Sequence, residues 1–231
     1  MSPIGDDGIV RAAQQVVATD EKAHAFQVAP DNRFAFATCL GGGVVRQFRF
    51  DAATGRIDDN DPPAWRARAG AGPRHFVFHP HAPFVYLLHE LDATVEVLAF
   101  DRARGTLQST GGVVSLLPPH FASGAPWAAD LHCTPDGRFL YASERRSSTL
   151  SSFAIDPLSG ALAPLERIPT EAEPRGFALS PDGRYLVAVG QASYRLSLYA
   201  IDPDTGALAK LTERAIGRNP NWVEFVDLSR R

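Results

Sequence analysis

The sequence predicts an all-β fold, a β-propeller of four-stranded antiparallel blades. One segment occurs four times, an apolar strand that ends in proline, turns and resumes as an aromatic-rich strand. Its copies are HAFQVAPDNRFAFA from His24, RHFVFHPHAPFVYL from Arg74, ADLHCTPDGRFLYA from Ala129 and RGFALSPDGRYLVA from Arg175. Their prolines, Pro30, Pro80, Pro135 and Pro181, stand 50, 55 and 46 residues apart. A period of ~50 residues holding several strands is the mark of propeller blades. No segment sustains the apolar period of a helix.

Taken in order, the chain opens with GIVRAAQQVVATD (8–20), which reads as the outer strand of a blade whose inner strands are absent. Four blades follow, approximately 24–70, 74–120, 127–170 and 174–215, and then a closing strand over 219–228 that contains NWVEFV. Residues 1–231 thus read as one propeller domain, about four complete blades plus two orphan strands, part of a seven-bladed ring. In the blade from Arg74, RHFVFHP is strand A, FVYLLHE strand B and TVEVLAFD strand C; RARGTL turns into strand D. The other blades repeat a D-x-x-x-G hairpin signal between C and D, at Asp51, Asp156 and Asp202. Asp there caps its own turn, and the glycine, such as Gly105, takes positive φ. Asp136-Gly137 and Asp182-Gly183 do the same at the A–B turn.

A net charge of −3 gives no argument for nucleic acid or for an anionic membrane surface. No apolar run approaches the ~20 residues of a membrane span. The N-terminus MSPIGDDGIV has neither a basic nor an apolar signal region, and the cytoplasm is the expected compartment. Cys39 and Cys133 fall in strand-like runs of different repeats and read as two buried, reduced thiols.

Aligning the copies on proline separates scaffold from candidate function. Four residues before it stand Phe26, Phe76, Leu131 and Phe177, and two before it Val28, Phe78, Cys133 and Leu179. These apolar columns pack blade on blade. Six before it stand His24, Arg74, Ala129 and Arg175; ten after it stand Leu40, Glu90, Arg145 and Gln191. Pairing A with B about the turn brings these two varied columns side by side on one rim. Strand A is innermost, so the rim faces a central funnel.

Arg74 and Glu90 face each other across one hairpin and can form an ion pair. Arg145 and Arg175 face Ala129 and Gln191, neither of them acidic, and a guanidinium left free suits a phosphate or carboxylate. His24 is a candidate general base. Asp130 and His132 share one face of a strand and read as a hydrogen bond that locks neighbouring strands. Trp127 and Trp222 lie near the same rim as possible pocket walls. His75 and His79 sit ~13 Å apart on a strand and cannot share a metal. His79 and His81 flank the A–B turn at the far mouth. Gly41-Gly42-Gly43 precedes no helix and makes no phosphate cradle. No spacing points to a metal site.

The stretches GAGPRHFVFHP with LLHELDATVEV (71–97), WAADLHCTPDGRFLYASER (127–145), EPRGFALSPDGRYLVAVGQASYRLSLYAID (173–202) and GRNPNWVEFV (217–226) resemble the lactonase family of seven-bladed propellers. The resemblance implies hydrolysis of 6-phospho-D-glucono-1,5-lactone to 6-phosphogluconate, in the pentose phosphate pathway, without cofactor or metal. It implies His24, Arg74 and Glu90 as catalytic residues. Arg145, Arg175, His75, Asp130, His132, Gln191 and Trp127 would bind the anionic sugar lactone. Arginines would hold the phosphate and the developing oxyanion, and His24 or Glu90 would deprotonate water. Family members are longer by ~100 residues, enough for two more blades. Open blade edges would then favour self-association. A carboxymuconate-type lactonizing cycloisomerase and a non-catalytic protein-binding platform are the competing readings.

Overall fold

A computed structural model describes residues 1–226. Among these residues sixteen strands form four sheets, each a simple antiparallel meander. The first sheet holds β1 (Ala23–Val28), β2 (Phe34–Cys39), β3 (Val44–Asp51) and β4 (Arg56–Arg66). The second holds β5 (Pro73–Phe78), β6 (Phe84–His89), β7 (Thr94–Asp101) and β8 (Thr106–Ser115). The third holds β9 (Ala128–Cys133), β10 (Phe139–Glu144), β11 (Thr149–Ile155) and β12 (Leu162–Pro169). The fourth holds β13 (Pro174–Leu179), β14 (Tyr185–Gly190), β15 (Arg195–Ile201) and β16 (Leu208–Ala215). There is no helix among the described residues. The inner strands follow one another in space: β5 lies between β1 and β9, and β9 between β5 and β13.

The sheets stack face to face through three apolar layers. Phe36, Phe76, Leu98 and Phe100 fill the first. Tyr86, Val95, Leu131 and Phe153 fill the second, and Tyr141, Phe177, Leu186 and Tyr199 the third. Full burial of one such side chain contributes about 1.5–3 kcal/mol. Phe76, Leu131 and Phe177 are the alignment column four before proline, and they sit in these layers. Phe26, the first of that column, is 45% exposed, because the matching face of the first sheet has no sheet against it among the described residues.

The C–D turns carry a second, repeated contact. The D-x-x-x-G glycines have positive φ, 67° at Gly105, 70° at Gly160 and 72° at Gly206. Each lies flat on the first aromatic of strand B in the preceding blade: Phe34, Phe84 and Phe139. A Cβ there would fall 2.0–2.6 Å from the ring. Tyr86 and Tyr141 reach the same turns and donate hydroxyl hydrogen bonds to the carbonyls of Gly160 (3.2 Å) and Gly206 (2.8 Å). Asp51, Asp101, Asp156 and Asp202 accept bonds from their own turn amides.

Among the described residues neither flanking segment forms a sheet strand. Residues 8–20 lie along the first sheet, where the Gln15 side-chain amide accepts from Ile57 N–H (2.9 Å) and donates to Ile57 C=O (2.7 Å). A side chain thus makes the two bonds that a strand's backbone would have made. The closing strand expected over 219–228 is irregular as far as residue 226, and positions 227 and 228 lie outside the described residues. Its backbone runs across β13, with the Asn221 carbonyl seated over Gly176. Cys39 and Cys133 are free thiols, Cys39 buried and Cys133 partly so; burial pushes Cys133 up to about 12.

Candidate active site

Every inner strand carries one extra residue at the same level. The register against strand B slips between Ala23 and Ala25, between Pro73 and Phe76, between Ala128 and Leu131, and between Pro174 and Gly176. Such a bulge sets two residues against one and breaks strict side-chain alternation. The slips contain His24, Arg74 with His75, Ala129 with Asp130, and Arg175. Hydroxyls absorb part of the disrupted pairing: Thr38 Oγ1 accepts from Ala25 N–H (3.0 Å), and Ser143 Oγ from Asp130 N–H (3.1 Å).

The side chains released by these bulges meet between the blades. Arg74 Nε donates to Glu90 Oε2 at 2.6 Å, and its Nη1 donates to the Ala129 carbonyl of the third blade. Arg145 Nη2 lies 3.0 Å from the same Glu90 oxygen. The alignment left Arg145 without an acidic partner because it compared positions within a hairpin. The partner sits in the neighbouring blade. Arg145 also donates to the Trp127 and Ala128 carbonyls, and its guanidinium lies 3.8 Å from the Trp127 ring centroid. Trp127 is therefore a platform beneath Arg145. Burial brings Arg145 down to about 10, helped by Arg74 and opposed by Glu90; it remains charged. Burial lowers Arg74 as well, against the pull of Glu90.

Asp130 is the other hub. Its Oδ1 lies 2.7 Å from His75 Nδ1 in the second blade and accepts from Leu131 N–H at 3.0 Å. Its Oδ2 lies 3.3 Å from His132 Nε2 and accepts from Phe177 N–H of the fourth blade, also at 3.3 Å. One carboxylate thus ties three inner strands, the lock expected of Asp130 and His132 and more. Burial works to raise its pKa, but His132 and His75 outweigh that and hold the acid below the usual carboxylate range. Burial works to lower His132, and Asp130 reverses it, leaving His132 above the ordinary imidazole value.

His24 stands above this hub with its ring centroid 5.0 Å from that of His75. Desolvation, with the charges of Arg74 and its neighbours, lowers His24 to about 4. Trp222 closes the other side, 6.2 Å from His75, with Nε1–H directed at Glu224 (3.3 Å). His24, His75, Asp130, His132 and Trp222 line a cleft of about 300 Å³. Arg175 is half-buried and among the described residues forms no ion pair. Gln191 donates to Asn219 at 2.7 Å and helps hold the final segment.

Larger hollows, of about 490 and 550 Å³, lie at the opposite mouth between A–B turns. Asp136 and Asp182 there are already bonded to Thr134 and Ser180 of their own turns. His79 and His81 are at that mouth, bonded to the Gly137 and Pro135 carbonyls. No cluster among the described residues could hold a metal ion.

Stacked four-stranded meanders with a polar cleft between their innermost strands define a β-propeller. The chain belongs to the lactonase family of seven-bladed β-propellers, whose family model, "Lactonase, 7-bladed beta-propeller", matches residues 2–225. A 6-phosphogluconolactonase of Pectobacterium carotovorum subsp. carotovorum is 39% identical over 228 residues, which are 99% of this chain and 68% of that protein. One from Serratia proteamaculans is 36% identical and is covered over 67% of its length. A solved Lactobacillus plantarum protein superposes with a TM-score of 0.90 at 28% identity, over 98% of this chain and 67% of that one. The periplasmic gluconolactonase of Pseudomonas aeruginosa gives 0.86 at 32% identity, over 94% and 63%.

Proposed function

We propose that this chain hydrolyses 6-phospho-D-glucono-1,5-lactone to 6-phosphogluconate, a step of the pentose phosphate pathway. The observation that carries the reading is the meeting of Arg74, Arg145 and Arg175 from three blades beside a single glutamate and His24. Relatives named 6-phosphogluconolactonase at 35–39% identity support it.

Arg175, with no ion-pair partner among the described residues, is suited to the phosphate. Arg74 and Arg145 are fixed by Glu90 and by backbone carbonyls, so they are preorganised donors for the oxygen that becomes negative as water adds to the lactone carbonyl. His24, protonated only near pH 4, has a free lone pair at neutral pH. Glu90, the other candidate base, already has Oε2 engaged by two guanidiniums. The test is acid release from freshly prepared 6-phosphogluconolactone, followed against its spontaneous opening. A rate equal to that background ends the reading.

The cytoplasm is the proposed compartment, supported by the unpaired thiols Cys39 and Cys133, and cell fractionation tests it. Self-association through exposed apolar side chains such as Phe26 and Leu211 is proposed as well, with sedimentation velocity as its check.

A further inference from the structure

We infer that His75, oriented by Asp130, is the group that takes the proton from the attacking water, and that His24 serves the substrate beside it. The inference rests on the lactonase reading above and deepens it.

Asp130 Oδ1 lies 2.7 Å from His75 Nδ1, while Leu131 N–H occupies the same oxygen and Phe177 N–H the other. An ionised carboxylate can only accept, so Nδ1 carries the hydrogen, and the lone pair of the neutral ring is on Nε2. Arg74 Nη1 lies 3.4 Å from both ring nitrogens. An atom equidistant from Nδ1 and Nε2 cannot lie along either lone pair, since the two diverge. Arg74 therefore sits over the ring rather than along the Nε2 lone pair. His75 lines the cleft with His24 and Trp222, and its side chain is only 15% exposed. Its backbone is held by the bulge between Pro73 and Phe76. An imidazole that lines a cleft with one nitrogen fixed on a buried carboxylate has the arrangement of a general base. Among the described residues His24 makes no comparable hydrogen bond, and Glu90 is spent on Arg74 and Arg145.

The step balances without a co-reactant. The oxygen of water bonds to the lactone carbonyl carbon as its proton passes to His75 Nε2. The bond from that carbon to the ring oxygen then breaks, and His75 returns the proton to the ring oxygen. The products are a carboxylic acid, which ionises, and a free hydroxyl. Asp130 stays ionised throughout and is a positioning residue.

The experiment compares kcat and KM on fresh 6-phosphogluconolactone for the wild type, His75→Ala, His75→Gln, Asp130→Asn and His24→Ala. His75→Ala is expected to lower kcat ~100-fold or more with KM nearly unchanged, and added imidazole to restore part of it. Asp130→Asn should lower kcat ~10-fold or more, because an amide can hold the wrong tautomer. In the wild type, nitrogen-15 spectra should show His75 protonated at Nδ1. Wild-type turnover with either His75 variant retaining full kcat overturns the role of His75 alone, as does a proton on Nε2; the glutamine variant reports if the alanine variant fails to fold. A wild-type chain with no turnover overturns the lactonase reading, and this role with it.

Discussion

Arg145 of the third blade and Glu90 of the second are joined at 3.0 Å across the gap between their sheets. Glu90 receives Arg74 at the same oxygen, so one carboxylate neutralises two buried guanidiniums and fixes where both point. Removing that charge leaves both cations unpaired. Glu90→Gln is expected to destabilise the fold by about 2–4 kcal/mol. Calorimetry checks the loss, and an unchanged Tm would show that the arginines find other acceptors.

Arg175 has a different task in the proposed mechanism, because no carboxylate pins it among the described residues. Arg175→Ala is expected to raise KM ~10-fold or more while kcat changes much less. Inhibition by inorganic phosphate should weaken in parallel. An equal loss in kcat would place Arg175 at the reacting carbonyl instead.

Three titrations, two of one sense and one of the other, act on stability. His24 falls to about 4 on folding, so the unfolded chain binds more protons between about pH 4 and its ordinary value near 6.5. Stability therefore rises with pH across that window and is lost as pH falls through it. Asp130 is depressed too, and its contribution is lost on acidification below the usual carboxylate range. His132 is raised, and what it adds at low pH is lost as pH climbs above its ordinary imidazole value. Thermal melts of wild type and His24→Gln separate these effects, since the variant should lose only the gain between about pH 4 and 6.5.

The glycine–aromatic seats between blades predict a sharp steric response. Gly160→Ala would drive a Cβ to 2.6 Å from the Phe84 ring at a φ of 70°. The expected cost is about 2–4 kcal/mol, from backbone strain and overpacking together. Gly111, also at positive φ but with nothing within 4 Å, is the control and should lose less. Denaturant melts of the pair decide it.

Gly176→Ala tests how the final segment is held. Its Cβ would meet the Asn221 carbonyl oxygen at 2.7 Å and Trp222 Cα at 3.2 Å, both backbone. The segment must shift, which changes Trp222 emission and moves its indole away from His75. An emission spectrum identical to wild type would mean that the inner strand yields instead.

The proline-turn repeat and the D-x-x-x-G signal made all sixteen strands legible, because both are local chemistry. The alignment columns then brought His24, Arg74, Glu90, Arg145 and Arg175 to one rim without any structure. What the columns could not carry was contact between blades. Arg145 with Glu90, Arg74 with Ala129 and His75 with Asp130 all cross from one sheet to the next. The bulges were equally hidden, since one extra residue in a strand leaves no mark in an apolar pattern. The flanking segments misled for a related reason: a strand-like sequence such as NWVEFV becomes a strand only where another strand offers it hydrogen bonds.

The extra residue in each inner strand has a consequence for how such a protein can diversify. Side chains at the four slips project away from the apolar layers and from the glycine seats that bind the sheets together. Most of the polar chemistry is therefore written in letters of each repeat that the apolar layers do not use, with Asp130 serving both. Because Arg74 and His75 reach from their own slip to the slip of the next blade, a substitution at either alters its neighbour as well, so new specificities arise in adjacent pairs on an unaltered frame.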